Sequence, residues 1–511
     1  MPHAASALTA MAAILTAGVF AVGAMPARAD TLQQALTEAY RNNPTLVAAR
    51  AQQRATDEGV AVEKAAGRPS LNANGAVTEF LKQNATSFFA PDRIFNVGVD
   101  LGVPIYSGGA VKNAVRAAEE RVQAGQADLR GTESAIFSQV VAAYMDVLRN
   151  QALVGLNANQ VSVLETNTQA TSDRFEIGDL TRTDVAQSES RLALARSDLQ
   201  TAQANLIAAR ENYIALVGQA PNDLQPPPSL PGLPEDVAMA VDLALENNPD
   251  LIAARERAQA AGYDIEVAGA GRLPRISVFT GYDYQNFLGS VPNQIVNPVD
   301  PTDPGTAPGP VITTPQSASA AQAGISFTLP IFQGGRPAAL QRQAQARASA
   351  ALENVIAAER DVISQVRSAW SSWQASLAII RSSQIAVDAA GLSLEGVRAE
   401  NSIGNRTVLE VLNAEQELLT ARAQLVTARR NAYVAGFTLL AATGRAEARD
   451  LGFLEEGMLY DPAVNYERVE GKWWDWQRDP DPVTITTSTA DTPAQTAAVP
   501  ELEEITIERD Y

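Results

Sequence analysis

Phe95, Asn96, Val97, Gly98, Val99, Asp100, Leu101, Gly102, Val103 and Pro104 alternate large apolar side chains with small or polar ones. Side chains of a strand point to opposite faces in turn, so Phe95, Val97, Val99, Leu101 and Val103 share one face and Asn96, Gly98, Asp100 and Gly102 the other. The pattern returns later: Ala323, Ile325, Phe327 and Leu329 alternate with Gln322, Gly324, Ser326 and Thr328. Partner strands fall just upstream, near 71–80 and 276–284, the second with Ile276, Val278, Tyr282 and Tyr284 on one face. Loops rich in Pro, Asn, Asp, Thr and Gly separate each pair, a short one around 83–93 and a long one around 286–319. The chain therefore carries two β-hairpins, each apolar on one side.

The hairpins belong to an internal duplication. Asn42-Asn43-Pro44-Thr45-Leu46 with Ala48-Ala49-Arg50 reappears as Asn247-Asn248-Pro249-Asp250-Leu251 with Ala253-Ala254-Arg255. Val103-Pro104-Ile105-Tyr106 before Gly108-Gly109 returns as Leu329-Pro330-Ile331-Phe332 before Gly334-Gly335, and Ile177-Gly178 as Ile403-Gly404. Asn43 and Asn248 read as N-caps with Pro at the first helical position. The first repeat spans 30–225, with a helix, a β-hairpin over 70–104 and a helical hairpin over 110–218. After a Pro-rich linker at 226–235, the second spans 236–450, with its β-hairpin over 275–330 and helical hairpin over 336–443. Residues 451–478 form a C-terminal equatorial segment, and 479–511, rich in Thr, Pro, Asp and Glu, read as a disordered tail.

In each helical hairpin the return arm carries heptads. Val185, Leu192, Leu199, Leu206 and Tyr213 sit seven apart, as do Val411, Leu418, Leu425, Ala432 and Leu439, with mostly Ala three residues further on. That spacing predicts antiparallel coiled coils with an Ala-rich seam. The return arms are shorter than the outbound ones, and stacking each on the short helix that opens its repeat would equalise the lengths.

Met11 to Ala24 form an apolar stretch before Ala27-Arg28-Ala29, which predicts a signal peptide over 1–29 and a mature start near Asp30. No Lys or Arg precedes the apolar stretch, so this expectation rests on the apolar run and the cleavage pattern. Beyond the leader no apolar run is read as long enough for a transmembrane helix, which leaves β-strands as the route across a bilayer. Four strands with one apolar face cannot close a barrel alone, and an open edge in lipid leaves backbone groups unpaired, so the chain must oligomerise. Strand number allows a dimer of eight strands or a trimer of twelve.

The chain has no Cys, and its single His, His3, lies in the leader. The mature chain then has no thiolate or imidazole for catalysis or metal binding, and no cofactor, metal or catalytic residue is expected. A formal net charge of −19 argues against nucleic acid. The Gly-Gly pairs lack the Lys-Ser or Lys-Thr of a phosphate loop. Trp473, Trp474 and Trp476 are read as packing the chain end against the helical waist, in preference to anchoring at a membrane interface.

The Asn-Pro-x-Leu helix start, the strand ending Val103-Pro104-Ile105-Tyr106 before Gly-Gly, and the tips Arg174-Phe175-x-Ile177-Gly178 and Ile403-Gly404-Asn405-Arg406-Thr407 resemble the TolC family of outer-membrane efflux proteins. The resemblance runs to about Leu451 and implies a mainly α protein with membrane β. Three subunits would build a twelve-stranded outer-membrane β-barrel on a long periplasmic α-barrel, exposing Phe95, Val97, Val99, Leu101, Ile325, Phe327 and Leu329 to outer-membrane lipid. It further implies a homotrimer that an inner-membrane transporter recruits through a periplasmic adaptor, for drug efflux or type I secretion, with adaptor contacts at the hairpin tips Ile177, Gly178, Ile403 and Gly404. It also implies a gated periplasmic entrance, with Arg406 linked to Asp184 and with Glu410 and Asn413 narrowing the lumen. Glu410 and Asn413 stand where the best-known pattern has two Asp, and Asn401 where it has a gating Tyr. Without the resemblance, the tip charges read as solvation of a helix end. A periplasmic coiled-coil adaptor or scaffold is the alternative function, but it has no need of duplicated amphipathic strands.

Overall fold

The computed structural model describes residues 30–82, 90–295, 312–452 and 459–499. The expected leader, most of the short hairpin loop, the centre of the long one and residues 500–511 lie outside the described residues. Each repeat opens with two helices, α1 (Leu32–Asn42) and α2 (Pro44–Ala65) in the first, α5 (Val237–Asn247) and α6 (Pro249–Gly269) in the second. Strands β1 (Ser70–Glu79) and β2 (Arg93–Tyr106) correspond to β3 (Arg275–Asn286) and β6 (Ser317–Thr328), and the long loop between the latter holds a two-residue ladder of β4 (Gln294–Ile295) with β5 (Ile312–Thr313). Then come the helical hairpins, α3 (Ala110–Glu176) with α4 (Arg182–Val217), and α7 (Arg336–Ser402) with α8 (Val408–Ala442). Short helices α9 (Ala448–Leu451) and α10 (Pro462–Glu470) follow.

The four long strands form one antiparallel sheet in the order β1-β2-β3-β6. The two repeats are therefore joined by the β2–β3 ladder, and among the described residues β1 and β6 are left as free edges. Both long outbound helices, α3 and α7, have 67 residues, or about 100 Å at 1.5 Å per residue. Gly109 and Gly335 launch them from the left-handed region, at φ 83° and 80°, which a residue with a Cβ adopts at a cost.

Asn43 and Asn248 explain how the short and return helices align. Each side-chain carbonyl accepts two backbone N–H bonds at the start of its own helix, Thr45 and Leu46 for Asn43, Asp250 and Leu251 for Asn248. Each side-chain amide then donates to the last turn of the return helix, Asn43 to the carbonyl of Leu216 (2.9 Å) and Asn248 to that of Ala442 (3.0 Å). One buried amide thus satisfies orphan donors of one helix and an orphan acceptor of another, stacking them end to end.

The main core lies at the waist, where Phe137, Val140 and Tyr144 of α3 meet Leu46, Leu206, Tyr213 and Phe437. Tyr144 donates to the carbonyl of Gln225 (2.5 Å), with that of Asp30 at 2.9 Å, tying the first described residue and the linker to α3. Towards the tips the core thins to the expected seam: Val411, Ala414, Leu418 and Ala421 are buried against Ala390 and Leu394.

Three expectations are corrected. First, α7 contains a window of mean hydropathy 1.2, long and apolar enough by composition to span a membrane, contrary to the reading that no such stretch follows the leader. It is the outbound arm of a coiled coil, and with 11% of the window buried its apolar surface is free for packing against another copy. Second, the far end of the described tail, residues 495–499, is docked. Arg210 donates to the carbonyls of Thr496 and Ala498, the backbone of Gln495 donates to Glu211, and Val499 packs on the waist core. Composition read as disorder because the docking uses backbone carbonyls, which leave no side-chain pattern. Third, Trp473, Trp474 and Trp476 are exposed and do not pack on the waist.

A carboxylate at the waist carries a pH signature. Glu133 accepts the backbone N–H of Ala448 (2.6 Å) and faces Glu447, Asp450 and Arg50, while Arg130 pairs with Glu447. Burial, ahead of the repulsion from Glu447 and Asp450, pushes Glu133 up to about 7. A carboxyl raised in the folded state favours folding while protonated. Its contribution is complete below the unfolded value of about 4.5 and is lost as pH rises through about 7. Glu133→Gln should therefore flatten the fall in thermal midpoint between about pH 5 and about pH 8 relative to wild type; calorimetry of the detergent-extracted protein at both values checks this, and parallel curves would exclude Glu133 as the titrating group.

Candidate functional site

The register brings the predicted apolar positions into rows. Leu71 pairs with Leu101 and Leu101 with Thr280; Ala73 pairs with Val99 and Val99 with Tyr282; Val103 pairs with Val278 and Val278 with Ile325. Phe95 and Val97 continue the face opposite Val77 and Gly75, and Phe327 continues it opposite Ile276. Val97, Val99, Ile325, Phe327 and Leu329 are exposed, while Phe95 and Leu101 are half-buried by their neighbours. The opposite face carries Asn72, Asp100 and Gln322 in one row and Asn74 and Asp283 in the next. Gly281 lies opposite Asp100 and Gly98 opposite Asp283, and a Cβ on either glycine would sit within 2.9 Å of the facing carboxylate. One face of this sheet suits hydrocarbon and the other suits water.

At the far end of the molecule the two helical hairpins turn identically. Asp179 N–H bonds to Arg174 O and Gly178 N–H to Phe175 O, and Asn405 N–H to Glu400 O and Gly404 N–H to Asn401 O. These are Schellman motifs, with Gly178 and Gly404 at φ 82° and 81°. Ile177 and Ile403 stand 80% and 71% exposed beside them, the two most prominent apolar side chains of the tips.

Each return helix then starts with a capping box. Thr181 donates through backbone and hydroxyl to Asp184 Oδ2 (2.9 and 2.7 Å), and Asp184 N–H bonds back to Thr181 Oγ1 (3.3 Å). Thr407 and Glu410 repeat this at 2.8, 2.9 and 3.3 Å. Arg406 pairs with Glu400 (2.7 Å) and Glu410 (2.6 Å), and Asn401 donates to the Arg406 carbonyl. The expected Arg406–Asp184 link is therefore not made within one chain: each residue is satisfied inside its own hairpin turn. The backbone N–H of Thr407, followed by Arg406, holds Glu410 down to about 2, and the Thr181 hydroxyl lowers Asp184. Both carboxylates are thereby held in the ionised form at neutral pH.

Other residues join the two hairpins within the chain, and sequence reasoning missed them. Arg191 of α4 donates to Asn413 Oδ1 of α8 (2.8 Å), giving Asn413 a partner in the other hairpin. Buried Glu415 accepts from Asn167 of α3 (2.9 Å) and from Arg398 of α7 (3.0 Å) through one oxygen, and its other oxygen has no partner among the described residues. Arg430 of α8 pairs with Asp146 of α3 (2.9 Å), and Leu412 packs against Leu164 and Ala195. Among the described residues no group of His, Cys, Asp and Glu could hold a metal.

The sequence pattern of the family described as outer membrane efflux protein matches residues 35–219 and 240–445, one block per repeat. The outer membrane efflux protein BepC of Brucella suis is 32% identical over 463 residues, covering 91% of this chain and 95% of its own. The outer membrane protein TolC of Vibrio cholerae is 24% identical, covering 84% of this chain and 94% of its own. Among solved structures, the outer membrane protein VceC of Vibrio cholerae shares the fold with a TM-score of 0.67 at 23% identity, over 81% of this chain and 96% of its own.

Glu415 generates a prediction about the coupling of the hairpins. Glu415→Ala and Asn167→Ala should each lower the thermal midpoint, and the double-mutant cycle should show a coupling energy of about 0.5–3 kcal/mol; additivity would mean that the bond between the hairpins contributes nothing.

Proposed function

Because the chain belongs to the outer membrane efflux protein family, we infer that its single apolar-faced sheet and its two coiled-coil hairpins are the two ends of one export conduit. It is an outer-membrane channel with a periplasmic helical tunnel, and it is not an enzyme. Channels of the TolC family are trimers that work with an adaptor and an inner-membrane transporter. For this chain the finer reading is a homotrimer. Three sheets, each with free edges β1 and β6, close into twelve strands, and the exposed surface of α7 packs between copies. The closure is geometrically consistent, since β6 of one subunit runs antiparallel to β1 of the next in a sheet that alternates throughout.

The tips are read as the adaptor-facing end. Ile177, Gly178, Ile403 and Gly404 form two equivalent turns with a protruding apolar side chain, a repeated feature suited to a partner that grips both hairpins. The tunnel entrance is read as a gate. Asp184 stands in the first turn of α4, and Arg406, Glu410 and Asn413 around the start of α8; the opening move is a separation of the hairpins that breaks Arg191–Asn413 and exchanges Arg406 between its own acids and Asp184 of a neighbouring copy. Exposed pairs contribute only about 0–1 kcal/mol each, weak enough for a partner to displace. Cargo passes passively, as small solutes or polypeptides chosen by the inner-membrane transporter.

The observation that carries the conduit reading is the sheet's division into a hydrocarbon face and a water face, at the opposite end from the helical tips. Planar-bilayer recordings of the detergent-extracted protein, with its mass determined in parallel, should show small cation-selective steps from a trimer, and a non-conducting soluble species would remove the reading. Arg406→Ser with Asp184→Ala should then raise conductance severalfold, whereas Arg174→Ala, which breaks the Arg174–Asp179 pair of the other tip, should leave it unchanged. Equal conductance in all three proteins would sink the gate while leaving the channel.

A further inference from the structure

Lys472 and the three tryptophans after it stand at the junction of the helices and the sheet. Helix α10 climbs α2 in parallel: Asn465 donates to Asp57 (2.6 Å), Glu470 pairs with Lys64 (2.6 Å), and the Lys472 carbonyl accepts from Arg68 (2.6 Å). Each step along α10 is thus a step along α2 towards β1, and Arg68 lies just before Ser70, where β1 begins. Leu71, the first residue of the apolar face, is 69% exposed there. Directly beyond Lys472, Trp473, Trp474 and Trp476 are 68%, 63% and 87% exposed. The chain then turns back, and Asp479 closes the turn by pairing with Arg468 (2.8 Å) and Lys472 (3.3 Å). An apex pinned on both sides therefore presents three indoles level with the base of the lipid-facing sheet.

We propose that this apex is an interfacial anchor whose indoles insert into the headgroup region of the periplasmic leaflet of the outer membrane. An indole combines a large apolar ring with one N–H donor and concentrates at the boundary between headgroups and hydrocarbon. Outer-membrane barrels carry aromatic girdles at that level on their strands, and here the C-terminal segment supplies one from outside the barrel. The flanking residues select lipid over protein as the occupant. Asp475 sits between the tryptophans and Arg478 two residues after the last of them, and a dry protein interface would have to bury those charges, whereas a headgroup zone leaves them hydrated. The inference rests on the outer-membrane reading of the sheet.

The test uses the full mature protein in phosphatidylethanolamine–phosphatidylglycerol vesicles containing lipids brominated either near the headgroup or near the chain end. Trp370 and Trp373 pack against each other in α7 and remain in W473F/W474F/W476F, so subtracting this variant's emission from wild type isolates the apex. The proposal predicts that shallow bromines remove more than about half of that difference and deep bromines clearly less. Apex emission untouched by either lipid overturns it: red-shifted emission would mean open solvent, and blue-shifted emission a protein contact. Conductance measured on the same vesicles separates the readings, because conducting vesicles with an unquenched apex remove the anchor and keep the channel, while vesicles that neither conduct nor quench remove both.

Discussion

Two rows of backbone N–H and C=O groups, on the outer edges of β1 and β6, find no strand partner among the described residues of one chain, and the rest of the architecture follows from that. The sheet they bound has an apolar face that water disfavours, and placing that face in hydrocarbon makes each unpaired edge group cost several kcal/mol. A single subunit can bury the face or satisfy the edges, but not both. Joining β6 of one copy to β1 of the next does both, and it requires every copy to present the same sheet at the same height.

The helices meet that requirement. The β2–β3 ladder welds the two repeats into one sheet, so the helical hairpins hang from it as a rigid pair. Asn43 and Asn248 extend each return arm by stacking it on a short helix, which lets both arms of each hairpin run the length of a tube about 100 Å long. The waist core around Phe137, Tyr144 and Tyr213 fixes the middle of the rod, and the Ala-rich seam below it is thin. Buried apolar packing is therefore concentrated at the waist, and polar bonds such as Arg191–Asn413 and Asn167–Glu415–Arg398 carry the coupling near the tips. Regions with few buried apolar contacts open at lower cost than the global core, which is the property an entrance needs.

The sheet was legible because period-two alternation is a direct consequence of strand geometry, and both hairpins carried it; the register and the β2–β3 ladder that joins the two hairpins were not, because nothing local to either strand marks its partner. The first role of Asn43 and Asn248 was legible from the Asn-Pro pair, but the bonds to Leu216 and Ala442 were not, since they join positions far apart in the chain. Thr181 with Asp184, and Thr407 with Glu410, have the spacing of a capping box, a signal present in the sequence that the tip charges obscured. Arg191 and Glu415 had no local signature at all. The docked tail and the exposed tryptophans went the other way from composition, because one is held by its backbone carbonyls and the others are placed by where α10 leads.

Hydrogen exchange of the assembled protein in detergent or nanodiscs measures the founding constraint most directly. If the edges close between copies, the amides of β1 and β6 exchange as slowly as those of β2 and β3. Rapid exchange confined to β1 and β6, with β2 and β3 protected, would mean that the edges stay open and would contradict the account.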